Sequence, residues 1–338
     1  MDGQQYPRAM ATTPIAGPEF VRSLADGSAH EALGVPGGGL VVVDGTDLPD
    51  DPDPVVAAGV ASLPAVVVGL VGEPGRRPAW ADLALAPDDP LLTAVAATVS
   101  GHPLAATVLA LLLRSGDGRS VAAGLVAEST TYGLLQGGPE FARWRRDRPR
   151  RERPADDGPA VLVERRDDEL TITLNRPRVR NALSSAVRDG LDAALQIAVL
   201  DPSVTAVHLR GAGPSFCSGG DLDEFGARSD PPSAHLLRLL RSPARSLASV
   251  ADRVTAHLHG DAVGSGIELA AFAGRVVAHP TTRIALPEVG LGLIPGAGGT
   301  VSLPRRIGRH RTLLLALTAE PVDAATALAW GLVDAVVD

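Results

Sequence analysis

Two carboxylates, Glu268 and Glu288, stand twenty positions apart, and each adjoins a glycine-rich segment. The Gly-Ser-Gly sequence at 264–266 is typical of a tight turn that opens a helix. Backbone N–H groups at a helix start have no partner within the helix, so they can bind a developing oxyanion. Glu288 follows a proline and a short apolar run that predicts a strand. The spacing therefore predicts two carboxylates held beside an oxyanion site.

Each carboxylate also has a simpler interpretation. A glutamate in a first helical turn is most often only a favourable partner of the helix dipole. A Pro-Glu pair is most often a surface turn. Considered together with both glycine-rich turns, the pair favours general acid/base chemistry on a carbonyl compound.

Composition excludes several other classes of function. The chain has 338 residues, a net charge of −8 and no lysine, since all 31 basic residues are arginine. Lysine-dependent Schiff-base chemistry is therefore excluded, and the acidic balance and 3% aromatic content argue against nucleic-acid binding. The single cysteine, Cys217, excludes an internal disulfide and fits a reducing compartment. We therefore expect a cytoplasmic protein.

The uncharged run from Val55 to Gly72 has a length close to that of a membrane span. Pro64 divides it into a part that predicts a short helix and a part that predicts a buried strand. The first residues of the chain lack the basic-then-apolar order of a signal peptide. We therefore expect neither a membrane span nor a leader.

Longer motifs surround the two glutamates, and they resemble those of the enoyl-CoA hydratase/isomerase (crotonase) superfamily. The family pattern G-x-A-x-G-G-G-x-E-L-A is similar to residues 260–270, and P-E-x-x-L-G-x-x-P-G-A-G-G-T is similar to residues 287–300. The motif L-N-R-P…N-A-L is similar to residues 174–183, and F-x-A-G-A-D-I to residues 216–222. The resemblance extends over about half of the chain.

The resemblance implies catalytic roles for five residues. Glu268 and Glu288 would handle the water that adds across a double bond. The backbone N–H groups of Gly220 and Ser265 would bind the thioester oxygen, and the N–H of Gly296 would help to hold the water. Serine stands at 265 where the family usually has glycine, but only its backbone N–H is needed.

The resemblance also implies a binding site for coenzyme A, which would enter as part of the substrate. No metal or redox cofactor is implied. Asp221 is expected to order its loop. For Arg178 and for Arg180, each taken alone, a solvated basic turn is nearly as good an explanation as binding of a CoA phosphate. The implied CoA-binding residues are Arg178, Arg180, Ser218, Asp221 and Leu222.

Three other polar residues could do chemistry but carry no complete motif. His257 and His259 lie two apart on a predicted strand and would face the same way. A metal pair is conceivable, but no third ligand is spaced for it, so we interpret both as core or pocket-lining residues. Cys217 has no paired base and is predicted to be structural.

The predicted fold class is α/β in two domains. Residues 1–155 form a smaller α/β and helical region, with strands within about 39–86, helices within about 90–145 and an arginine-rich linker at 143–158. Residues 1–35 are weakly patterned, and we expect them to be partly disordered. Residues 159–338 form a core of repeated strand–strand–helix units, which the resemblance implies to wind into a crotonase-like spiral.

Family members continue for two or three helices beyond the segment that resembles residues 329–337. Residues 90–145 resemble that missing tail. We hypothesise that the N-terminal region is a degenerate crotonase-like unit whose helices supply, in the same chain, what the C-terminal region lacks. The resemblance further implies a homo-oligomer, a trimer or hexamer.

The sequence thus predicts an enzyme acting on an acyl-CoA thioester, with hydration of a 2-enoyl-CoA as the leading hypothesis. Isomerisation or another thioester-enolate reaction is the first alternative. A non-catalytic acyl-CoA-binding subunit is the second, which the intact pair of glutamates disfavours.

Overall fold

The computed structural model describes residues 13–32, 39–73, 75–148, 151, 158–227 and 230–338. The N-terminal region contains a parallel sheet whose strand order follows the chain. Alternate residues of its middle strands are buried on opposite faces, as expected for a parallel sheet covered on both sides. The strands are β1 (Ile15–Ala16), β2 (Leu40–Asp44), β3 (Val66–Leu70) and β4 (Leu83–Leu85).

Three helices cover one face of this sheet: α1 (Gly17–Ala25), α2 (Ser28–Ala32) and α3 (Pro54–Ser62). Within the segment predicted to be partly disordered, residues 13–32 are ordered, while residues 1–12 and 33–35 lie outside the described residues. A two-residue strand and two short helices leave little periodicity in the sequence. They are fixed instead by tertiary burial, with Phe20 and Leu24 packed beneath α1.

Four further helices lie at positions that the sequence predicts: α4 (Leu91–Gly101), α5 (Pro103–Arg114), α6 (Val121–Gln136) and α7 (Pro139–Asp147). Proline at the first position of α5 and α7 sacrifices no intrahelical hydrogen bond. The side chain of Ser120 accepts a hydrogen bond from the N–H of Ala123 and caps α6.

The beginning of the predicted arginine-rich linker is helical. Helix α7 includes residues 143–147, and the Trp144 ring stacks on Phe141 at 5.6 Å between centroids and contacts Phe225 at 6.2 Å. These aromatic contacts anchor the helix on the C-terminal region, while Arg143, Arg146 and Asp147 are exposed. Residues 149–150 and 152–157 lie outside the described residues.

The C-terminal region contains a six-stranded sheet of order β13-β10-β8-β7-β6-β5 and a three-stranded sheet of order β12-β11-β9. Strands β5 and β6 form an antiparallel hairpin, and the other neighbours in the larger sheet are parallel. The strands are β5 (Val161–Arg166), β6 (Glu169–Leu174), β7 (Ala206–Gly211), β8 (Val254–Leu258), β9 (Asp261–Val263), β10 (Arg275–Ala278), β11 (Arg283–Ala285), β12 (Val322–Asp323) and β13 (Ala335–Val336).

The helices of this region are α8 (Ser185–Leu200), α9 (Pro231–Leu240), α10 (Pro243–Ser249), α11 (Ser265–Ala270), α12 (Gly299–Thr318) and α13 (Ala324–Trp330). The predicted strand–strand–helix order is present in β8–β9–α11 and in β10–β11–α12. Each unit places its first strand in the larger sheet and its second in the smaller one. The winding of these units into a spiral stays a prediction.

The amphipathic pattern of residues 181–198 predicts a helix that starts at Asn181, and this predicted start is wrong. Helix α8 begins at Ser185, with the Ser184 side chain capping it. Asn181 instead has a positive φ of 56° and is fully buried. Its amide donates to three carbonyl oxygens in the segment 212–216, so it joins this loop to the motif around Cys217.

One continuous apolar core joins the two regions. It contains side chains of β3, α4, α5 and α6 together with those of β6, β8 and α12. At its edge the Arg114 guanidinium forms a buried ion pair with Asp82, and Arg309 of α12 reaches the same carboxylate. Helix α12 packs against α4, α5 and α6, which brings the N-terminal helices to the glycine-rich segment where α12 begins. The division into two domains stays a prediction.

Within the described residues, no single helix is both long and apolar enough to cross a membrane. The pair α4 and α5 reaches the required length and composition together, but the two helices are bent by 111° at their junction.

Candidate active site

A cavity of about 510 Å³ lies where α6, α9, α11 and the start of α12 meet. It contains the five residues with implied catalytic roles, together with Asp221. The structure therefore brings together the carboxylates and the two expected backbone donors, although they come from separate parts of the chain. The lining residues predicted from the sequence are Gly220, Asp221, Ser265, Glu268, Glu288 and Gly296.

Glu268 lies in the short helix α11 and is buried. Its Oε2 accepts hydrogen bonds from the N–H groups of Ala297 (2.7 Å) and Gly299 (2.9 Å). Burial raises the pKa of Glu268 well above its usual range, and the nearby carboxyls of Glu288 and Glu128 raise it further. This glutamate is therefore firmly held and favours its protonated form.

Glu288 opens a single 3-10 turn, Glu288–Leu291, directly after β11 and Pro287. Its Oε2 is buried and has no hydrogen-bond partner among the described residues. Burial raises the pKa of Glu288 to about 7. A buried, unpaired carboxylate oxygen at a cavity is costly unless a ligand or water binds it, so this atom is a candidate for direct contact with a reactant.

Gly264 provides the space for Glu288. Its φ is +51°, a value that favours glycine, and a Cβ at this position would lie 2.3 Å from Oε1 of Glu288. The turn predicted from the Gly-Ser-Gly sequence thus opens α11 and also admits the second carboxylate.

The backbone at Gly220 and Ser265 can supply two N–H donors to the cavity. The first intrahelical bond of α11 runs from the N–H of Glu268 to Gly264, so the N–H of Ser265 lies in the unpaired first turn. Around Gly220, the N–H of Asp221 donates to the carbonyl of Leu183. The N–H of Gly220 makes no hydrogen bond to any other described residue, and it remains available to a ligand.

We expect Gly220→Ala to reduce turnover by about 10²–10³-fold, the usual effect of losing one oxyanion donor. A Cβ at this position would lie 2.4 Å from Cε1 of Phe225, so either the Phe225 ring or the backbone that carries the donor must shift. Steady-state kinetics should show the loss in kcat. The double variant Gly220→Ala/Phe225→Ala removes the clash, and failure of this pair to recover any activity would contradict the steric explanation.

A third buried glutamate, Glu128 of α6, reaches the same site from the N-terminal region. Its Oε1 accepts the N–H of Gly298 (2.7 Å), and its Oε2 accepts both the N–H (2.9 Å) and the hydroxyl (2.7 Å) of Thr300. Glu268 binds the alternate N–H groups of the same segment. Residues 296–300, named here the glycine loop, are therefore held from two sides by two carboxylates.

Sequence reasoning missed the role of Glu128, although the sequence carries a signal for it. Glu128 occurs at helical spacing with Leu125 and Tyr132, both buried, so it lies on the apolar face of α6. A single carboxylate on such a face requires a partner within the protein. Burial raises its pKa to about 7, although the hydrogen bonds from the glycine loop oppose that shift.

Tyr132, one turn after Glu128, packs directly on the glycine loop. A Cβ at Gly296 would lie 2.4 Å from Cδ2 of the Tyr132 ring, so only glycine fits there. Burial raises the pKa of the Tyr132 hydroxyl, and the nearby glutamates raise it further. The wall of the cavity beside Gly296 therefore belongs to the N-terminal region.

Four of the residues implied to bind CoA do not line this cavity: Arg178, Arg180, Ser218 and Leu222. Arg178 and Arg180 are exposed, and Arg180 pairs with Asp261 at 3.0 Å. Asp221 is buried, and its Oδ2 accepts a hydrogen bond from Arg176 at 2.9 Å, consistent with a loop-ordering role. Binding of CoA by these residues stays a prediction.

The two histidines do not act as a pair. His257 lies in β8 and its Nε2 is 3.1 Å from Nδ1 of His208, whereas His259 follows the strand and contacts the carbonyl of Gly213 at 3.0 Å. Both are half-buried and neither lines this cavity, so their interpretation as core or pocket-lining residues stays a prediction. Cys217 is buried, and burial raises its thiol pKa to about 11, in keeping with a structural residue.

A family model for enoyl-CoA hydratase/isomerase matches residues 166–338, just over half of the chain. The chain belongs to this family. The predicted membership of the crotonase superfamily, with its α/β fold, is thereby confirmed, and the chain is an enzyme of that superfamily. The matched residues contain all five of the residues with implied catalytic roles, but not Glu128 or Tyr132.

Individual relatives of this crotonase-superfamily chain also match only about half of it. The peroxisomal bifunctional enzyme of Danio rerio is 42% identical over 49% of this chain and 22% of its own length. The 2,3-dehydroadipyl-CoA hydratase of Escherichia coli is 35% identical over 51% of this chain and 67% of its own. The solved structure of Pseudomonas aeruginosa DspI matches 54% of this chain and 70% of its own, with 32% identity and a TM-score of 0.50.

Proposed function

We propose that this enzyme hydrates a 2-enoyl-CoA thioester. The observation that carries the proposal is the unpaired Oε2 of Glu288, buried at a cavity that also contains Glu268 and the backbone donors of Gly220 and Ser265. A water molecule bound by this oxygen would lie among groups suited to its activation. The names of relatives such as the Escherichia coli hydratase support the same class of substrate.

The proposed reaction balances with the two glutamates alone. One carboxylate accepts a proton from water as the water oxygen bonds to the β-carbon of the substrate. The electron pair of the double bond moves toward the thioester, and the N–H groups of Gly220 and Ser265 stabilise the negative oxygen of the enolate. The other glutamate, protonated, delivers its proton to the α-carbon.

The raised pKa values of Glu268 and Glu288 suit a reaction in which one acts as the acid and the other as the base. Two nearby carboxyls in a buried site do not both ionise readily, so the pair holds one proton over a wide pH interval. One acid and one base are then present together. The pair titrates as a unit, and a bell-shaped dependence of kcat/KM on pH is the expected signature.

Isomerisation remains the nearest alternative. It would move a proton between two carbons of the substrate, which a single carboxylate can do. The presence of two carboxylates beside one cavity favours addition of water instead. A purely acyl-CoA-binding subunit is less favoured, because burying these glutamates without a reaction costs stability and gains nothing for binding.

We expect purified protein to hydrate at least one member of a chain-length series of 2-enoyl-CoA thioesters. Loss of the conjugated absorbance measures the reaction, and mass analysis of the product distinguishes the addition of water from isomerisation, which leaves the mass unchanged. Binding of the thioesters without any change in absorbance or mass would overturn the proposal and favour the binding-subunit alternative. The homo-oligomeric state and the cytoplasmic location stay predictions.

A further inference from the structure

One charged side chain of the cavity wall, Arg238, takes no part in the proposed chemistry. It lies on α9 and its guanidinium is fixed against α6. Nε donates to Oγ of Ser129 at 3.0 Å, Nη1 donates to Oε1 of Gln136 at 3.1 Å, and Nη2 donates to the carbonyl of Ser129 at 3.1 Å. The guanidinium carbon lies 4.9 Å from the centroid of the Tyr132 ring.

All the hydrogen-bond partners of Arg238 are neutral, so its charge is not balanced by direct contact. Two arginines with largely buried side chains do pair with carboxylates, Arg114 with Asp82 and Arg176 with Asp221. No carboxylate among the described residues forms an ion pair with Arg238. Burial lowers the pKa of its guanidinium, and the more distant Glu128 opposes that shift only in part.

The guanidinium of this cavity-lining residue retains unused hydrogen-bonding capacity. Arginine has five N–H bonds, and the three contacts above leave one unused on each Nη nitrogen. Two adjacent N–H groups of a planar fork match the two oxygens of a carboxylate. Gly133 also makes room for it, because a Cβ there would lie 3.3 Å from Nη2.

We propose that Arg238 binds an anionic group at the far end of the acyl chain, so that the preferred substrate carries a terminal carboxylate. This inference rests on the proposed function for its placement of the thioester. Tyr132 contacts both Gly296 and the Arg238 guanidinium, which places the arginine on the catalytic side of the cavity, next to the acyl group. A phosphate of CoA is the other possible source of an anion, and the test must separate the two.

The test compares two saturated six-carbon thioesters, adipoyl-CoA and hexanoyl-CoA, which share the CoA moiety and differ in the terminal carboxylate. Neither can be hydrated, so calorimetry measures their binding alone. We expect adipoyl-CoA to bind more tightly. Arg238→Gln should weaken its binding by about 10- to 100-fold, the range for a hydrogen bond to a charged group, and leave hexanoyl-CoA within about threefold.

Two further variants make the result specific. Arg245→Gln removes one positive charge from α10 outside the cavity and should leave both affinities unchanged. Ser129→Ala loosens the contact between α6 and α9 while keeping the charge of Arg238, so it should affect adipoyl-CoA less than Arg238→Gln does. A change of the same size for both thioesters in Arg238→Gln would overturn the inference, because it would indicate a CoA contact or a structural role.

Absence of any preference for adipoyl-CoA in the unaltered protein would overturn the inference as well. The outcome is separate from that of the proposed function. Selective binding of adipoyl-CoA without hydration of any enoyl-CoA would contradict the hydratase while supporting the substrate class. Hydration with no preference for a terminal carboxylate would support the hydratase and contradict the substrate class.

Discussion

Replacing Glu288 by glutamine should lower kcat for hydration by about 10²–10⁴-fold, the usual contribution of a general acid or base. Glutamine has nearly the same size, and Oε2 of Glu288 makes no hydrogen bond that the change would break. The loss should therefore appear in kcat, with little change in the affinity for a saturated acyl-CoA. Stopped-flow absorbance and calorimetry measure the two quantities separately.

Glu268→Gln is a less selective test of the same chemistry. Oε2 of Glu268 accepts two N–H groups of the glycine loop, so an amide nitrogen in that place would oppose two donors. Glu320→Gln, at an exposed position far along the chain, is the matched control and should behave as the unaltered enzyme.

Hydration retained within tenfold by Glu288→Gln would exclude Glu288 as an essential acid or base.

Replacing Glu128 by alanine should reduce kcat by about 10²-fold, even though this residue lies outside the matched family region. Three donors of the glycine loop would lose their acceptor, and a shift of about 1 Å in a catalytic loop has an effect of this size. The free energy of unfolding should fall by about 3 kcal/mol, since buried donors would be left unpaired. Chemical denaturation and steady-state kinetics check the two effects.

Glu128→Gln separates the charge of this residue from its shape. The groups that face Glu128 are Glu268, Glu288, Tyr132 and Arg238. Its negative charge raises the pKa of Glu268 and of Glu288, so a neutral amide should lower both pKa values and move the pH profile of kcat/KM toward lower pH. An unmoved profile, in a variant that still folds and turns over, would show that Glu128 acts through structure alone.

The same shifts determine how stability depends on pH. The pKa of Glu128 and of Glu288 rises from 4.5 to about 7 in the native state. The native chain therefore holds more protons than the unfolded chain between those values. The contribution of these two groups to the free energy of unfolding is fully present below about pH 4.5 and is lost as the pH rises toward 7.

Much of the catalytic half could be predicted from sequence because its constraints are local. The Gly-Ser-Gly turn opens α11, the pattern of residues 254–258 predicts the strand that β8 forms, and Glu288 follows a strand at Pro287. The glycines at 264 and 296 are recognisable in the sequence because the structure requires them there. A Cβ at 264 would collide with Glu288, and a Cβ at 296 would collide with Tyr132. The bounds of helix α5 are also predictable from local signals, because a proline begins it and Arg114 ends it.

The features that sequence reasoning missed depend on contacts between distant residues. Asn181 belongs to an apolar-periodic stretch, but its amide is needed by three carbonyls more than thirty residues away, which delays the start of α8. Trp144 lies within a run of arginines, yet its ring packs between Phe141 and Phe225. The partner of Glu128 is on another element altogether, and no local pattern identifies it.

The hydrogen bond between Glu128 and Thr300 joins residues that are 172 positions apart. Closing so long a loop has an entropic cost that must be met before the contact can contribute, and topologies of this kind fold slowly. The glycine loop therefore acquires its final shape only after both halves of the polypeptide have been synthesised and docked. During refolding, catalytic activity should consequently recover later than the helical signal. The time course of activity would then measure the last step of folding.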